Sequence, residues 1–148
     1  MKMERTCGAK GRLQDKGYCR SEVIDQVLAG GKDSIPVLIE LLTDERFTPE
    51  PVMDYWSSTS VGDVAFFILT DLFLNSKWNK SYMPVVTWDE IDKFGEKGLP
   101  AEAHWQLFLE KNGRKYVQDK WRKAWEANKE LIYWDKKEMS YRLKSKRN

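Results

Sequence analysis

Apolar residues recur every three to four positions along much of the chain, and the pattern breaks where Gly, Pro and Asn gather. After Ser21, whose hydroxyl suits a helix N-cap, Val23, Ile24, Val27 and Leu28 fall at helical spacing until Gly30 and Gly31 offer a left-handed stop. Asp33 then stands where an N-cap is expected. Pro36 falls in the first turn, where its missing donor costs little, and Ile35, Leu38, Ile39 and Leu42 form an i, i+3, i+4, i+7 stripe. From Ser60 to Leu74 the pattern is clearest, with Val61, Val64, Ala65, Ile68, Leu69 and Leu72 in phase. Phe66, Phe67 and Phe73 widen that surface beyond one stripe, so this helix is expected at the centre of the core.

Residues 45–59 and 75–86 read as loops, opposed to helix by Pro49 and Pro51 and by Asn75, Asn79 and Pro84. Thr87-Trp88-Asp89-Glu90 has the capping-box form and opens a short helix through Phe94. Pro100 begins the helix AEAHWQLFLEKN, which Gly113 stops, and a last long helix runs from about Lys115 to Lys129. On it Val117, Trp121, Ala124, Trp125 and Asn128 share a face. Residues 131–143 suit either a small hairpin about Asp135–Glu138 or continued helix. The expectation is an all-α, irregular helical-hairpin domain of five to six helices. It forms a single unit over 1–148, with a polar segment at 1–20 and a frayed basic tail at 144–148.

Composition narrows the class further. At 148 residues, 41% hydrophobic and 13% aromatic, the chain has material for one real core and is not a disordered composition. No run nears 18 apolar residues, so no membrane partner is expected. The net charge of +2 hides a split: residues 1–20 carry +4, 21–110 carry −10 and 111–148 carry +8. Either the basic C-terminal part folds back on the acidic middle, or one of the two faces a partner. Cys7 and Cys19 are candidates for a disulfide over a short loop if the compartment is oxidising. Met1–Arg5 has no apolar core of a signal peptide. The chain therefore reads as cytoplasmic if complete and as exported or periplasmic if a signal has been removed.

Gly31 to Asp44, G-x-D-S-I-P-x-L-I-x-L-L-x-D, resembles one helix of a HEAT-type repeat. Val61 to Leu72, with Gly62, Asp63 and Ala65, resembles the opening of a following repeat helix. Trp121-x-x-x-Trp125-x-x-Asn128 with Trp134-Asp135 is similar to a closing segment of bacterial HEAT-like proteins. These strings cover about a quarter of the chain. The resemblance implies α-helical hairpins with a protein-binding habit and carries over no catalytic residue. The chain departs from it in having at most two repeat-like units, where a solenoid wants three or more, and in its two long loops.

Chemical signatures are sparse. His104, the only histidine, has Glu102 two residues before it, on a different helix face and poorly placed to orient the imidazole. Asp63 and Asp71 lie about 80° apart around their helix, explained as readily by capping and solvation as by an acid–base pair. There is no G-x-S-x-G, and Gly30-Gly31-Lys32 lacks the first Gly and the Ser/Thr of a phosphate loop. No metal or cofactor is expected. The basic, aromatic run from Arg114 to Lys129 puts Trp121 and Trp125 on the apolar face with its charges elsewhere, which disfavours nucleic acid. The rings in and beside the loops, Phe47, Tyr55, Trp56, Trp78 and Tyr82, have the character of interface anchors. The sequence thus supports a non-enzymatic protein-binding module for another protein of basic character, an immunity or inhibitor protein being one form. A small hydrolase built on His104 with Asp63 or Asp71 is the alternative. Oligomeric state is not specified.

Overall fold

A computed structural model describes residues 22–48, 59–75, 80–83 and 85–145. Cys7, Cys19, Ser21, Tyr55, Trp56 and Trp78 lie outside the described residues. Helix α1 (Glu22–Gly30) passes through a 3-10 turn, Gly31–Asp33, into α2 (Ser34–Leu41). Gly31 takes the left-handed conformation, φ 62°, that ends α1. Asp33, expected as an N-cap, makes no side-chain cap, because the 3-10 turn leaves its backbone already helical (φ −68°, ψ −15°).

The first expected loop is gathered at its ends by a two-residue ladder, β1 (Phe47–Thr48) against β2 (Thr59–Ser60). It delivers the chain to α3 (Val61–Leu72). Ser60 and Asp63 form a full capping box there: Asp63 N donates to Ser60 Oγ at 3.2 Å, and Ser60 N donates to Asp63 Oδ2 at 3.0 Å. The next two amides of α3 are satisfied across the chain, Val61 N by the Arg46 carbonyl and Gly62 N by the Asp44 carbonyl. This close approach is why residue 62 is glycine. A Cβ there would meet the Leu42 carbonyl oxygen at 2.5 Å and Arg114 Nη1 at 2.8 Å.

Helix α3 ends at Leu72, two residues short of the expected Leu74, which instead joins Asn75 as β3 against β4 (Lys80–Ser81). Thr87 caps α4 (Trp88–Asp92) by accepting from Glu90 N, and this helix stops before Phe94. Helices α5 (Ala101–Asn112) and α6 (Arg114–Asn128) are separated only by Gly113 at φ 83°. Residues 131–143 form the hairpin, β5 (Ile132–Asp135) antiparallel to β6 (Ser140–Leu143). The fold is therefore mostly helical with small two-stranded antiparallel ladders.

As the triple Phe pattern implies, α3 is buried nearly all round, from Gly62 to Leu69 and at Leu72. Two aromatic clusters grip it. Phe66 stacks on Trp105 of α5 at 4.0 Å between centroids, and Phe67 stacks on Trp88 of α4 at 5.5 Å. At the other end Phe73 meets Trp121 of α6 and Tyr141 of β6. Helix α6 crosses α2 through Gln118, a buried amide that donates to the Ile39 and Glu40 carbonyls at 3.1 Å each. Those carbonyls belong to the last turn of α2, so Gln118 caps that helix from outside.

Candidate functional site

The two aspartates of α3 have different surroundings. Asp63 is buried at 3% exposure, so solvation does not explain it. Its Oδ1 accepts from Trp105 Nε1 at 2.7 Å and from Arg114 Nη2 at 3.0 Å, while Oδ2 closes the capping box. One carboxylate thus joins the starts of α3 and α6 to the middle of α5. Asp71 is only partly exposed, and burial pushes its carboxyl up to about 7.

His104 bonds elsewhere. Its Nδ1 lies 2.9 Å from Asp92 Oδ1, and its Nε2 lies 3.2 Å from the Glu96 carbonyl oxygen. Asp92, not Glu102, is the carboxylate that orients it, reached from the end of α4 rather than from its own helix. The imidazole lies directly on Gly95, where a Cβ would overlap the ring. Both ring nitrogens face acceptors. Asp92 first, then the Glu96 carbonyl, hold the imidazole pKa above its ordinary value. His104 and Asp63 make separate sets of bonds, and neither shares one with Asp71. Among the described residues no three His, Cys, Asp or Glu side chains gather as metal ligands.

Of the five aromatic residues expected to anchor a partner, Phe47 and Tyr82 lie within the described residues. Phe47 is 67% exposed on the β1–β2 ladder, following Asp44, Glu45 and Arg46. Arg46 pairs with Asp44 at 2.6 Å, and this pairing holds the Asp44 carboxyl below its ordinary range. Tyr82 is engaged within the fold. The Arg142 guanidinium sits over its ring, 4.8 Å from the centroid, and pairs with Asp135 Oδ2 at 3.0 Å. This tie joins the β3–β4 region to the C-terminal hairpin.

One concavity has residues that sequence reasoning did not single out. A cleft of about 480 Å³ lies between the 3-10 turn and the hairpin, lined by Leu28, Gly31, Lys32, Tyr133, Trp134 and Tyr141. A smaller one, about 310 Å³, lies between the approach to α4 and α6, with Val86, Glu90, Lys120 and Lys123 on its wall. The signal for the larger cleft was the continuous apolar run Leu131-Ile132-Tyr133-Trp134, legible only once that run is a strand. Helices among the described residues are all too short or too polar to cross a membrane.

Compared with known protein families, curated proteins and solved structures, the chain matches none.

Proposed function

We propose that the protein is a small, irregular HEAT-like helical module that binds another protein of basic character without catalysing a reaction. The observation that carries this reading is Phe47. This phenylalanine is 67% exposed on a ladder tied by backbone hydrogen bonds to the N-terminus of the central helix. A handful of anchor residues, aromatic ones prominent among them, supplies most of the binding energy at a protein interface. The acidic balance of residues 21–110, −10 along the chain, supports a basic partner. Packing of α2 on α3 supports a single HEAT-like hairpin, closed by α6 rather than by a further repeat. An immunity or inhibitor protein is one form such a module takes. The bonding of His104 favours a structural part for it over a catalytic one, because both ring nitrogens are occupied.

The test is affinity capture from an extract of the source organism with wild type, Phe47→Asp and Tyr55→Ala/Trp56→Ala as parallel baits, each checked for folding by circular dichroism. The expected outcome is a partner of high pI that wild type retains, that both variants lose, and that raised salt releases. Equal retention by Phe47→Asp, or no specific retention at low salt, would overturn the reading.

A further inference from the structure

We propose that the cleft between the 3-10 turn and the C-terminal hairpin is a binding site for a small flat organic anion, of the class of aromatic carboxylates and sulfonates. Its volume, about 480 Å³, falls within the range of small-ligand pockets. Trp134 and Tyr141, cross-strand partners on one face of the hairpin, supply the aromatic surface of its lining, with Leu28 adding aliphatic surface. Flat π-faces of this kind favour a planar occupant.

The rings are held in place before any ligand arrives. Trp134 meets Tyr141 edge to face at 4.9 Å, and Tyr141 is 5% exposed with its ring 5.8 Å from Phe73. The hairpin that carries them is pinned by the Asp135–Arg142 pair. A wall already ordered binds without the entropy loss that a mobile one would suffer. Gly31 opens the opposite side. It needs glycine for its φ of 62°, and nothing lies within 4 Å of where its Cβ would be, so a ligand can approach the backbone there.

Lys32 sets the sign of the charge. It is the cation on the lining, and among the described residues it makes no ion pair or side-chain hydrogen bond. An ammonium beside aromatic faces is a ready partner for a carboxylate or sulfonate. Asp33 follows it in sequence and acts electrostatically on Tyr141, yet it is not on the lining. Its carboxylate opposes an anion from outside the cleft, and that opposition provides a second handle on the sign.

Two naphthylamine probes that share an aromatic skeleton separate shape from charge: 8-anilinonaphthalene-1-sulfonate and the uncharged N-phenyl-1-naphthylamine. Each is titrated by fluorescence against the full chain, and trimethylanilinium serves as a cationic competitor. The sulfonate is expected to saturate one site. Trp134→Ala should weaken both probes by about tenfold or more, as loss of a stacking surface does. Lys32→Gln should weaken the sulfonate by roughly fivefold and leave the neutral probe unchanged, since it removes one charged partner. Asp33→Asn should tighten the sulfonate by about twofold, as expected for one nearby like charge in a solvated setting. Lys123→Gln, in the smaller cleft, should change nothing. The proposal fails if Lys32→Gln leaves sulfonate binding intact, if Lys123→Gln is the variant that removes it, or if trimethylanilinium displaces the probe and is itself weakened by Asp33→Asn. The indole N–H resonance of Trp134, assigned by its loss in Trp134→Phe, must also shift on titration with indole-3-carboxylate; an unmoved resonance would place binding elsewhere.

Discussion

A single imidazole joins α4 to α5, and its bonding dictates its charge. His104 Nδ1 faces the Asp92 carboxylate and Nε2 faces the Glu96 carbonyl, so both nitrogens can be satisfied only when both carry protons. The folded state therefore favours imidazolium, and the pKa lies above the ordinary 6.5. Folding binds the proton more tightly than the unfolded chain does. The stability from this clip is fully present below pH 6.5 and is lost as pH rises through the folded-state pKa. Urea denaturation at pH 5.5 and pH 8.5 checks the sign. Wild type is expected to lose more stability over that rise than His104→Gln, which cannot titrate. Gly95→Ala should flatten the dependence as well, because its Cβ displaces the ring. As this is the only histidine in the chain, its proton resonance reads the pKa directly. A midpoint below 6.5 would contradict the bonding described.

At the scale of elements, the hairpin turn contains a residue in an unfavourable conformation. Met139 closes the β5–β6 turn at φ 54°, the left-handed region that suits Gly or Asn, and its amide donates to the Asp135 carbonyl at 2.7 Å. A non-glycine residue held there costs about 1–2 kcal/mol. Met139→Gly is expected to raise the melting temperature by a few degrees, about 0.5–1 kcal/mol after the entropy cost of glycine. Met139→Val, β-branched, should lower it by at least as much; calorimetry showing the reverse order would mean that contacts of the Met side chain outweigh the strain. That turn also shows where the sequence was legible and where it was not. The apolar periodicity of α1, α2, α3 and α6 identified those helices, because burial of one face sets both pattern and structure, while α5 was legible from Pro100 and Gly113 at its ends. Short ladders such as β1–β2 and β3–β4 are two residues long and leave no periodicity to read. Gln118 was equally silent in the sequence, since a polar residue on a helix becomes a cap for α2 only after α6 has crossed it. Asp63 was half legible. Its Ser60-x-x-Asp63 spacing has the capping-box form, but its bonds to Trp105 and Arg114 depend on three helix segments meeting. Of the candidate sites, the exposed Phe47 was legible as a loop aromatic, while the Lys32 cleft needed the 3-10 turn and the hairpin brought together.

Over the whole molecule, the charge split along the chain resolves partly inside the fold, through pairs between the basic C-terminal part and the acidic middle. Arg114–Asp63 at 3.0 Å and Arg122–Glu40 at 2.7 Å are two such pairs, and burial sets their value rather than distance. The Arg122 and Glu40 side chains are 43% and 66% exposed, so water and salt screen the shorter of the two contacts. Removing it by Arg122→Ala should leave the denaturant midpoint essentially unchanged. The Arg114 and Asp63 side chains are 16% and 4% exposed. Arg114→Met would strand a buried carboxylate that retains only the Ser60 amide and the Trp105 indole. Asp63→Asn would strand a guanidinium whose Nη1 is already buried without a hydrogen-bond partner. Each single change should cost about 3 kcal/mol, mostly the desolvation of the charge left behind. Trp105 Nε1 and Ser60 N bond to different oxygens of Asp63, and Asn keeps an acceptor for only one of them, so the double variant Asp63→Asn/Arg114→Met removes both charges at the cost of one neutral bond. Its loss should fall short of the summed single losses by at least about 1 kcal/mol, a coupling that denaturant midpoints in a double-mutant cycle resolve. Strict additivity, or a negligible effect of Arg114→Met alone, would mean that the pair does not hold α3, α5 and α6 together and that the aromatic stack of Phe66 on Trp105 does so without it.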